Sequence, residues 1–215
     1  MNVEYIHFSN REIRAQYIAD RFKKLFEGKK VLDVGCDEAR LKTLIPHKEY
    51  VGIDIGGKPD IEINLEQIDR LPFDDDAFDC VICSDVLEHI NNLHQIFGEL
   101  VRVSRGEIII SLPNNWCCAR RPIEKGHGSF AHYGLPIDPV VDRHKWFFCL
   151  SDAKKFMEGQ TEKYPIQIQE MYATEKPRSS ILKSLRKLYF GAQENYLNRY
   201  SNTLWTVFEK KKCRS

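Results

Sequence analysis

The run Val31-Leu32-Asp33-Val34-Gly35 constrains the fold of this chain more than any other segment. It is an apolar run that ends in Asp-Val-Gly, and the next apolar run, Tyr50-Val51-Gly52-Ile53, ends in Asp54. In nucleotide-binding βαβ units the first turn holds the charged end of the ligand, and an acid about 20 residues later binds the ribose hydroxyls. No Gly-x-Gly-x-x-Gly follows the first run, so a pyrophosphate has no glycine-lined turn to approach. The spacing predicts a site for a nucleoside without phosphates.

Short apolar runs recur through the first half of the chain and predict the strands of a parallel sheet. Runs that are apolar throughout suit strands buried on both faces. The predicted strands are residues 30–35, 50–55, 61–65, 79–84 and 107–112. Helical patterns lie around and between them at residues 10–28, 38–45 and 92–103. The alternation predicts an α/β fold with a doubly wound, mostly parallel sheet.

The character of the chain changes after Pro113. Residues 114–147 are rich in Gly, Pro, His, Arg and aromatic residues without a sustained period, which predicts a functional loop or lid. Residues 151–158 predict a short helix with its first residue, a serine, as the N-cap. In residues 165–172 and 203–209 apolar and polar residues alternate, which predicts the last strands. Apolar residues at helical spacing predict a helical insert at residues 178–200, before the last strand.

Composition sets limits on the class of protein. The chain has 215 residues, 42% of them hydrophobic, which predicts one domain spanning residues 1–215. Its 32 lysines and arginines nearly balance its 31 aspartates and glutamates, so no global basic field favours duplex nucleic acid. The chain has neither a leader-like start nor an apolar stretch of about 18 residues, so we expect a soluble, cytoplasmic protein without a transmembrane segment.

The seven cysteines predict reduced thiols rather than a disulfide framework, because they are scattered and odd in number. Cys80 and Cys83 have the Cys-x-x-Cys spacing of some zinc sites. They lie in a predicted strand, where an odd separation sends two side chains to opposite faces of the sheet. We therefore predict that both pack in the core.

Further segments make the chain similar to a known enzyme family. Residues 71–79, Leu-Pro-Phe-Asp-Asp-Asp-Ala-Phe-Asp, and residues 84–90, Ser-Asp-Val-Leu-Glu-His-Ile, resemble class I S-adenosylmethionine-dependent methyltransferases. The resemblance is to the group related to the ubiquinone-biosynthesis O-methyltransferases, and residues 204–209 resemble that family's last strand. It covers roughly residues 30–112. It implies a seven-stranded Rossmann-like sheet with an antiparallel last strand, S-adenosylmethionine as cofactor, and a small-molecule or glycan-like acceptor.

The resemblance places the cofactor at the ends of the first four strands. Asp33 would supply a carboxylate for the ammonium group of the cofactor, directly or through water. Gly35 would let the backbone pass close to the methionine part, and Asp54 would offer two acceptor oxygens to the ribose hydroxyls. The predicted cofactor-binding residues are Asp33, Gly35, Cys36, Asp54, Ile55, Asn64, Leu65 and Ser84.

One departure from the family pattern bears on cofactor binding. Family members usually have Asp-x-Gly-x-Gly-x-Gly after the first strand, and this chain has Asp37 and Ala39 at the second and third glycine positions. Asp37 puts a negative charge near the carboxylate of the cofactor. A non-catalytic relative that serves as an interaction module would carry such a change. An RNA or protein methyltransferase is another alternative, and it predicts a localised basic face.

Methyl transfer from a sulfonium requires an aligned and deprotonated acceptor. The candidate bases are histidines, whose pKa suits proton transfer near neutral pH. They are His89, His127, His132 and His144, of which we predict His89 and His144 to be catalytic. For His89 the alternative is capping or packing at a helix start.

Asp85, Glu88 and His89 allow two interpretations. At i, i+3 and i+4 of a helix they would share one face and could bind a divalent ion, and matching residues in the ubiquinone-type relatives have been associated with metal binding. Asp85-x-x-Glu88 is also the pattern of a capping box that fixes a helix start. We favour the capping box and predict no metal.

Two segments of the long loop are candidates for binding the acceptor. Residues 132–136 and 142–148 resemble a segment of bacterial methyltransferases from surface-polysaccharide clusters. Arginine and histidines beside aromatic rings could hold a polar sugar. Alternatively, the aromatic residues anchor the loop to the sheet and its charges are solvated. The predicted substrate-binding residues are Asp85, His127, His132, Tyr133, Arg143 and Trp146.

The insert at residues 178–200 places cationic residues beside an apolar helical face. It could approach a membrane surface that carries a lipid-linked substrate, form a homodimer contact, or pack as a lid on the sheet edge. We expect packing or dimerisation.

Overall fold

The computed structural model of the chain describes residues 1–127, 132–140 and 142–211. Its strands are β1 (Asn2–Tyr5), β2 (Lys30–Val34), β3 (Glu49–Asp54), β4 (Ile61–Glu62), β5 (Phe78–Ser84), β6 (Ser104–Pro113), β7 (Ile166–Glu175) and β8 (Ser201–Lys210). Its helices are α1 (Arg11–Arg21), α2 (Lys23–Phe26), α3 (Leu41–Leu44), α4 (Leu93–Val103), α5 (Asn115–Glu124), α6 (Leu150–Lys163), α7 (Ser180–Phe190) and α8 (Gln193–Tyr200).

The strands form one sheet in the order β1-β7-β8-β6-β5-β2-β3-β4. The last strand, β8, runs antiparallel to both of its neighbours, β6 and β7, and the remaining pairs are parallel. The predicted α/β fold with an antiparallel last strand is confirmed. The sheet has eight strands rather than seven, because Asn2–Tyr5 adds an edge strand beside β7. This four-residue strand is too short to give a periodic signal in the sequence.

The sheet separates two apolar cores, one on each face. Helix α1 packs with Cys80 and Ile82 on one face, and helix α4 packs with Val81 and Cys83 on the other. The prediction that Cys80 and Cys83 lie in the core is confirmed, because both are fully buried on opposite faces. The six described cysteines are free thiols, and Cys213 lies outside the described residues.

Several helices differ from the predicted ones. The helix predicted at residues 38–45 is reduced to α3, because Asp37 and Ala39 adopt left-handed backbone angles (φ 50° and 49°) that break helical geometry. The prediction that residues 114–147 lack regular structure is wrong for the ten residues of α5. The helix predicted at residues 151–158 begins earlier, with Cys149 as its N-cap. The predicted cap, Ser151, instead directs its hydroxyl to Asn198 Oδ1 at 2.9 Å.

The insert at residues 178–200 forms two helices, α7 and α8, separated by Gly191 with φ 62°. No residue of α7 is buried. Its cationic side faces the body of the protein, where Lys183 Nζ lies 3.7 Å from the Tyr5 ring centre and Arg186 stacks over Tyr200 at 4.3 Å. Its apolar residues point outward: Ile181, Leu185 and Leu188 are 74%, 60% and 81% exposed. The insert therefore contacts the edge strand β1 through its cationic side rather than through its apolar face, and dimerisation stays a prediction. Among the described residues, no helix combines the length and the apolar character needed to cross a membrane.

Candidate active site

A cavity of about 930 Å³ opens at the carboxyl ends of β2, β3 and β5. Ligands of open α/β sheets bind at this edge, where adjacent loops separate. All eight predicted cofactor-binding residues line the cavity: Asp33, Gly35, Cys36, Asp54, Ile55, Asn64, Leu65 and Ser84. The predicted catalytic residues His89 and His144 line it as well, together with Asp85 and His132. The parallel strands thus bring residues from separate parts of the sequence into one site.

Gly35 shapes the turn at the start of the cavity. Its backbone is left-handed (φ 78°), and its N–H donates to the Ile53 carbonyl at 2.8 Å. A Cβ at this position would collide with Cγ2 of Val86. The sequence reasoning assigned this glycine to the ligand, whereas the structure shows that a neighbouring side chain also requires it.

Asp37 is neutralised by two arginines. Its Oδ2 lies 2.6 Å from Arg40 Nη1 and 3.0 Å from Arg11 Nη1. Although partial burial opposes ionisation, these guanidinium groups hold the pKa of the Asp37 carboxyl below its usual value. The charge that departs from the family pattern therefore has its own counter-charges. The turn also keeps a glycine-like shape, because Asp37 and Ala39 both have positive φ.

Asp54 is fixed by backbone groups of the same turns. Its Oδ2 accepts from the Asp37 N–H at 2.7 Å, and its Oδ1 accepts from the Ile55 N–H at 2.6 Å. Asn64 is held in a similar way, since its Oδ1 accepts from the Glu66 N–H at 3.0 Å at the start of a short 3-10 turn. Both side chains keep further lone pairs or N–H groups for a ligand, and both line the cavity.

Asp33 is the most perturbed acid at this end of the cavity. Its side chain is buried, and its Oδ2 accepts from the Tyr50 hydroxyl at 2.6 Å. Burial raises the pKa of the Asp33 carboxyl to about 7, with a smaller contribution from the charge of Asp54, while the bond from Tyr50 lowers it. A cationic group beside Asp33 would restore its ionised form, so this position suits an ammonium group.

The turn after β5 does not form the predicted capping box. Asp85 has a left-handed backbone (φ 54°), and its Oδ1 accepts from the Ser111 hydroxyl at 2.6 Å while Oδ2 pairs with Arg14. Residues Leu87–His89 form a single 3-10 turn without a side-chain cap. Glu88 is 1% exposed, and among the described residues neither of its carboxylate oxygens has a hydrogen-bond partner, while its Oε1 lies 3.9 Å from Nε2 of His89. The capping prediction is wrong because the bonds to Arg14 and Ser111 occupy Asp85.

Burial and the nearby charge of Asp85 raise the pKa of Glu88 well above its usual value. Because the turn is not an α-helix, Asp85, Glu88 and His89 do not lie along one helical face.

Three histidines, His89, His132 and His144, meet at the other end of the cavity, and we call them the imidazole cluster. The ring of His144 stacks on that of His132 with centres 4.4 Å apart and lies edge-on to that of His89 at 4.5 Å. One ring nitrogen from each lies within 4.8 Å of those of the other two, which is close enough to share a metal ion. The sequence reasoning considered a different set for a metal, so the cluster is a finding of the structure.

Asp142 and Asn115 determine where the ring protons lie. Oδ1 of Asp142 is 3.1 Å from Nδ1 of His89 and 3.2 Å from Nδ1 of His132, which favours protons on these two nitrogens. Asn115 Oδ1 accepts from the Phe148 N–H, so its amide nitrogen must donate to Nδ1 of His144 at 2.9 Å. Neutral His144 therefore carries its proton on Nε2, whereas His89 keeps a lone pair on Nε2.

The ring protons favour His89 over His144 as a base. Burial lowers the pKa of His89, against the opposing charge of Asp142. Burial and the neighbouring imidazoles lower the pKa of His144 to about 3. Since neutral His144 already has a proton on Nε2, it can donate a hydrogen bond there but cannot accept one. Metal binding through this nitrogen would require the other tautomer, which the amide of Asn115 opposes.

The remaining predicted acceptor residues do not line the cavity. Trp146 Nε1 donates to the Ile90 carbonyl at 2.8 Å, and Arg143 donates to the Gly134 carbonyl at 2.9 Å. The Tyr133 hydroxyl donates to the Trp146 carbonyl at 2.7 Å. His127 is exposed just beyond α5. The first three hold the long loop in place, which agrees with the alternative that its aromatic residues anchor it.

Known proteins share this fold. The family described as methyltransferase domain matches residues 5–158, more than half of the chain. The chain belongs to the methyltransferase domain family. This methyltransferase is also 33% identical over 102 residues to the uncharacterized protein MJ0638 of Methanocaldococcus jannaschii, a match that covers 42% of this chain and 45% of that protein. The matched part thus spans less than half the length of this relative.

Solved structures resemble the methyltransferase over nearly its whole length. The small RNA methyltransferase HEN1 superposes with a TM-score of 0.62 at 13% identity, covering 99% of this chain and 27% of that chain. A SAM-dependent methyltransferase from Archaeoglobus fulgidus gives 0.58 at 17% identity, covering 95% and 96%. The PH0226 protein of Pyrococcus horikoshii gives 0.53 at 17% identity, covering 96% and 95%. Together with the family match, they confirm the class I methyltransferase fold.

Sequence reasoning missed several residues of the methyltransferase site. Asp142, which faces two histidines, precedes His144 by only two residues, so the Asp-Arg-His run was its available signal. Asn115 comes three residues after the end of the fifth predicted strand, and Glu88 had been assigned to the cap. The burial of Glu88 without a hydrogen bond from any described residue could not be inferred from sequence, because it depends on residues distant in the chain.

Proposed function

We propose that this chain transfers the methyl group of S-adenosylmethionine to an oxygen, or as a second choice a nitrogen, of a small-molecule or glycan-like acceptor. One observation carries the proposal: a single cavity joins a nucleoside-type end, with Gly35 and Asp54, to the imidazole cluster. The first end would bind the cofactor, and the second would receive the acceptor. Methyl transfer requires the acceptor atom to lie in line with the methyl group of the cofactor.

The cofactor end supports a sulfonium nucleoside in three ways. Asp54 is held by backbone N–H groups in a fixed orientation, as ribose recognition requires. Asp33 is a buried acid that a cationic ammonium would ionise. Asp37, whose charge suggested a non-catalytic relative, is paired with Arg11 and Arg40 and so presents no uncompensated charge to the cofactor. These contacts favour an enzyme over an interaction module.

His89 is the proposed general base. It lines the cavity, its lowered pKa keeps it neutral at physiological pH, and the carboxylate of Asp142 leaves its Nε2 lone pair available. Deprotonation by a positioned imidazole contributes to catalysis when the base is already unprotonated. The protonated Nε2 of His144 would donate a hydrogen bond to the acceptor oxygen. Asp142 acts as a positioning residue.

An adjoining cavity supports a glycan-like acceptor. It has a volume of about 510 Å³, is lined by Trp116, Ile123 and Phe147, and shares Arg120 with the main cavity. Sugars stack on exposed aromatic rings while polar groups bind their hydroxyls. Trp116 is 49% exposed and could offer such a ring.

Isothermal titration with S-adenosylmethionine and its demethylated product S-adenosylhomocysteine tests the proposal. We expect binding by the parent protein, a large loss in Asp54→Ala, and retained binding in His89→Ala. Absence of binding at millimolar concentration refutes the proposal. If Asp37→Gly creates binding that the parent lacks, the interaction module is the correct interpretation. Once an acceptor is found, His89→Ala must lose turnover while keeping its cofactor affinity, and full turnover removes His89 as the base.

A further inference from the structure

The cations of the main cavity fall into two sets that differ in their partners. On the cofactor side, Arg11 and Arg40 pair with Asp37, and Arg14 pairs with Asp85. These arginines are neutralised by the protein itself. They serve to hold the turns and need no charged ligand.

On the other side of the cavity Arg120 pairs with Glu124 at 3.0 Å, but four further cations lack such partners among the described residues. This acceptor-side set consists of Arg121 in α5, Lys176 and Arg178 between β7 and α7, and Arg186 in α7, all of which line the cavity. Within the part of the chain that the structure describes, none of the four has a carboxylate at ion-pair distance. The carboxylate that lies among them, Glu175, is buried, and its two oxygens share the single hydroxyl proton of Tyr196 at 2.9 and 2.8 Å.

The cofactor cannot balance this charge. S-adenosylmethionine carries an ammonium, a sulfonium and one carboxylate, so its net charge is positive. Four cations without an ion-pair partner on one side of the cavity disfavour a second cation beside them, although the charge of Arg186 also acts on the nearby Glu175. An anionic acceptor removes the conflict, since it would lie between the cations and the sulfonium.

We infer that the acceptor carries a phosphate or diphosphate group, which Arg121, Lys176, Arg178 and Arg186 bind while the methylated hydroxyl faces the imidazole cluster. The inference rests on the proposed function and specifies its substrate class. Three of the four cations are arginines, whose planar forks bind phosphate oxygens in pairs. A phosphate carries about two negative charges near neutral pH, a better match to four cations than the single charge of a carboxylate.

The phosphate could belong to a soluble metabolite or to a lipid. The cationic side of α7 contributes Arg186 to the cavity, while its opposite side exposes Ile181, Leu185 and Leu188. A helix with this division of charged and apolar residues is of the kind that binds membrane surfaces. Both sources present the same phosphate chemistry to the cavity, so an experiment must separate them.

Isothermal titration of inorganic pyrophosphate into the protein saturated with S-adenosylhomocysteine tests the inference. We expect binding by the parent, and a dissociation constant raised by about tenfold or more in the double variant Arg121→Ala/Arg178→Ala. Both residues are exposed, and thermal melting checks that the variant folds. The matched control is Lys24→Ala/Lys155→Ala, which removes the same charge from two exposed lysines that do not line the cavity. The control must bind pyrophosphate like the parent.

Failure of the inference and failure of the proposed function give different results. If S-adenosylhomocysteine does not bind, the proposed function fails. If it binds but pyrophosphate does not, or if the double variant binds pyrophosphate as the parent does, only the phosphate inference is overturned. The remaining contrary result is a single-stranded RNA oligonucleotide that binds the parent more tightly than pyrophosphate does, with this RNA binding lost in the double variant. That result would overturn the phosphate inference in favour of an RNA acceptor.

Vesicle sedimentation then identifies the source of the phosphate. Phosphatidylcholine vesicles with and without phosphatidic acid are mixed with the parent and the double variant. Sedimentation that requires phosphatidic acid and the two arginines supports a lipid-borne phosphate. Pyrophosphate binding without sedimentation supports a soluble one.

Discussion

Asp33 offers the most direct test of how the cofactor end is built. Its carboxyl is 5% exposed, and burial raises its pKa from 3.8 to about 7. The substitution Asp33→Asn keeps the shape of the side chain and leaves an oxygen to accept the Tyr50 hydroxyl, but removes the ionisable group. The variant should therefore respond differently to pH from the parent protein.

The size of the difference follows from proton linkage. A carboxyl whose pKa is raised by folding stabilises the folded state in its protonated form, and this stability is lost as the pH rises from the unfolded pKa near 4 to the folded pKa of about 7. In that window the parent loses about 1.4 kcal/mol of unfolding free energy per pH unit from this group. Between pH 5 and pH 8 the loss is about 3 kcal/mol. Asp33→Asn should not show it.

Urea denaturation of the cofactor-free proteins at pH 5, 6, 7 and 8 measures this difference. The other titratable groups are common to both proteins, so the free-energy difference between parent and variant isolates Asp33. Tyr50→Phe is a useful companion, because it removes the hydrogen bond that lowers the Asp33 pKa and should extend the loss to higher pH. Parallel pH profiles for parent and Asp33→Asn would refute the raised pKa.

Cofactor binding should reverse the sign of the Asp33 effect. An ammonium group beside the carboxylate stabilises its ionised form, so at pH 6 the parent should release a proton when it binds S-adenosylhomocysteine. Titration in buffers of different ionisation enthalpy detects that proton. Asp33→Asn should bind about 10- to 100-fold more weakly, as expected for loss of a hydrogen bond to a charged group. Equal affinities would show that the ammonium group does not bind at Asp33.

Four further predictions concern the turns and the imidazole cluster. Ala39→Gly should raise the unfolding free energy by about 1 kcal/mol in urea denaturation, because Ala39 has a φ of 49°, and a decrease would contradict the left-handed turn. Gly35→Ala should lower the free energy of unfolding by about 1–3 kcal/mol, because the new Cβ collides with Val86. Adding Val86→Ala to the same protein should recover part of that free energy. No recovery would exclude the contact with Val86 as the cause. Asp142→Asn should lower the pKa of His89 in an NMR titration, since the charge of Asp142 raises that pKa. Asp142→Glu keeps the charge and should restore the pKa. A pKa that is unchanged in Asp142→Asn would remove Asp142 as the positioning residue. Exhaustive chelation should leave cofactor affinity and turnover unchanged, and a loss of turnover that an added divalent metal restores would show that the imidazole cluster binds a metal.

The meeting of the predicted cofactor-binding residues in one cavity could be predicted from sequence, because they lie near the carboxyl ends of strands or in the turns that follow. Asp33 and Asp54 end apolar runs, and parallel strands place their carboxyl ends at one edge of a sheet. The hydrophobic pattern of the strands and the spacing of the two acids are therefore enough to predict that they lie close together. The left-handed backbone of Ala39 was less accessible, because alanine rarely adopts it, and no local pattern showed that Asp37, a residue type that tolerates it better, would adopt it as well. Their conformation shortened the predicted helix to α3.

The acceptor end could not be predicted to the same extent, because its side chains are positioned by contacts between distant segments. The loop that carries His144 is attached to the turn of His89 by the bonds from Lys145 N to the Glu88 carbonyl at 2.7 Å and from Trp146 Nε1 to the Ile90 carbonyl. No local pattern encodes such bonds. Sequence reasoning selected His89 and His144, which both line the cavity, but not which of them keeps a free lone pair. Their catalytic role stays a prediction.

The two ends of the cavity differ in how the protein balances charge, and this difference links the cofactor to the acceptor. At the cofactor end Asp37, Asp85 and Glu12 neutralise three arginines, and Asp33 is left partly protonated until a cation arrives. At the acceptor end four cations have no such partner within the described part of the chain. A cationic cofactor and an anionic acceptor each supply the charge that the other end lacks. Each would then bind more tightly when the other is present, because its charge is compensated across the same cavity.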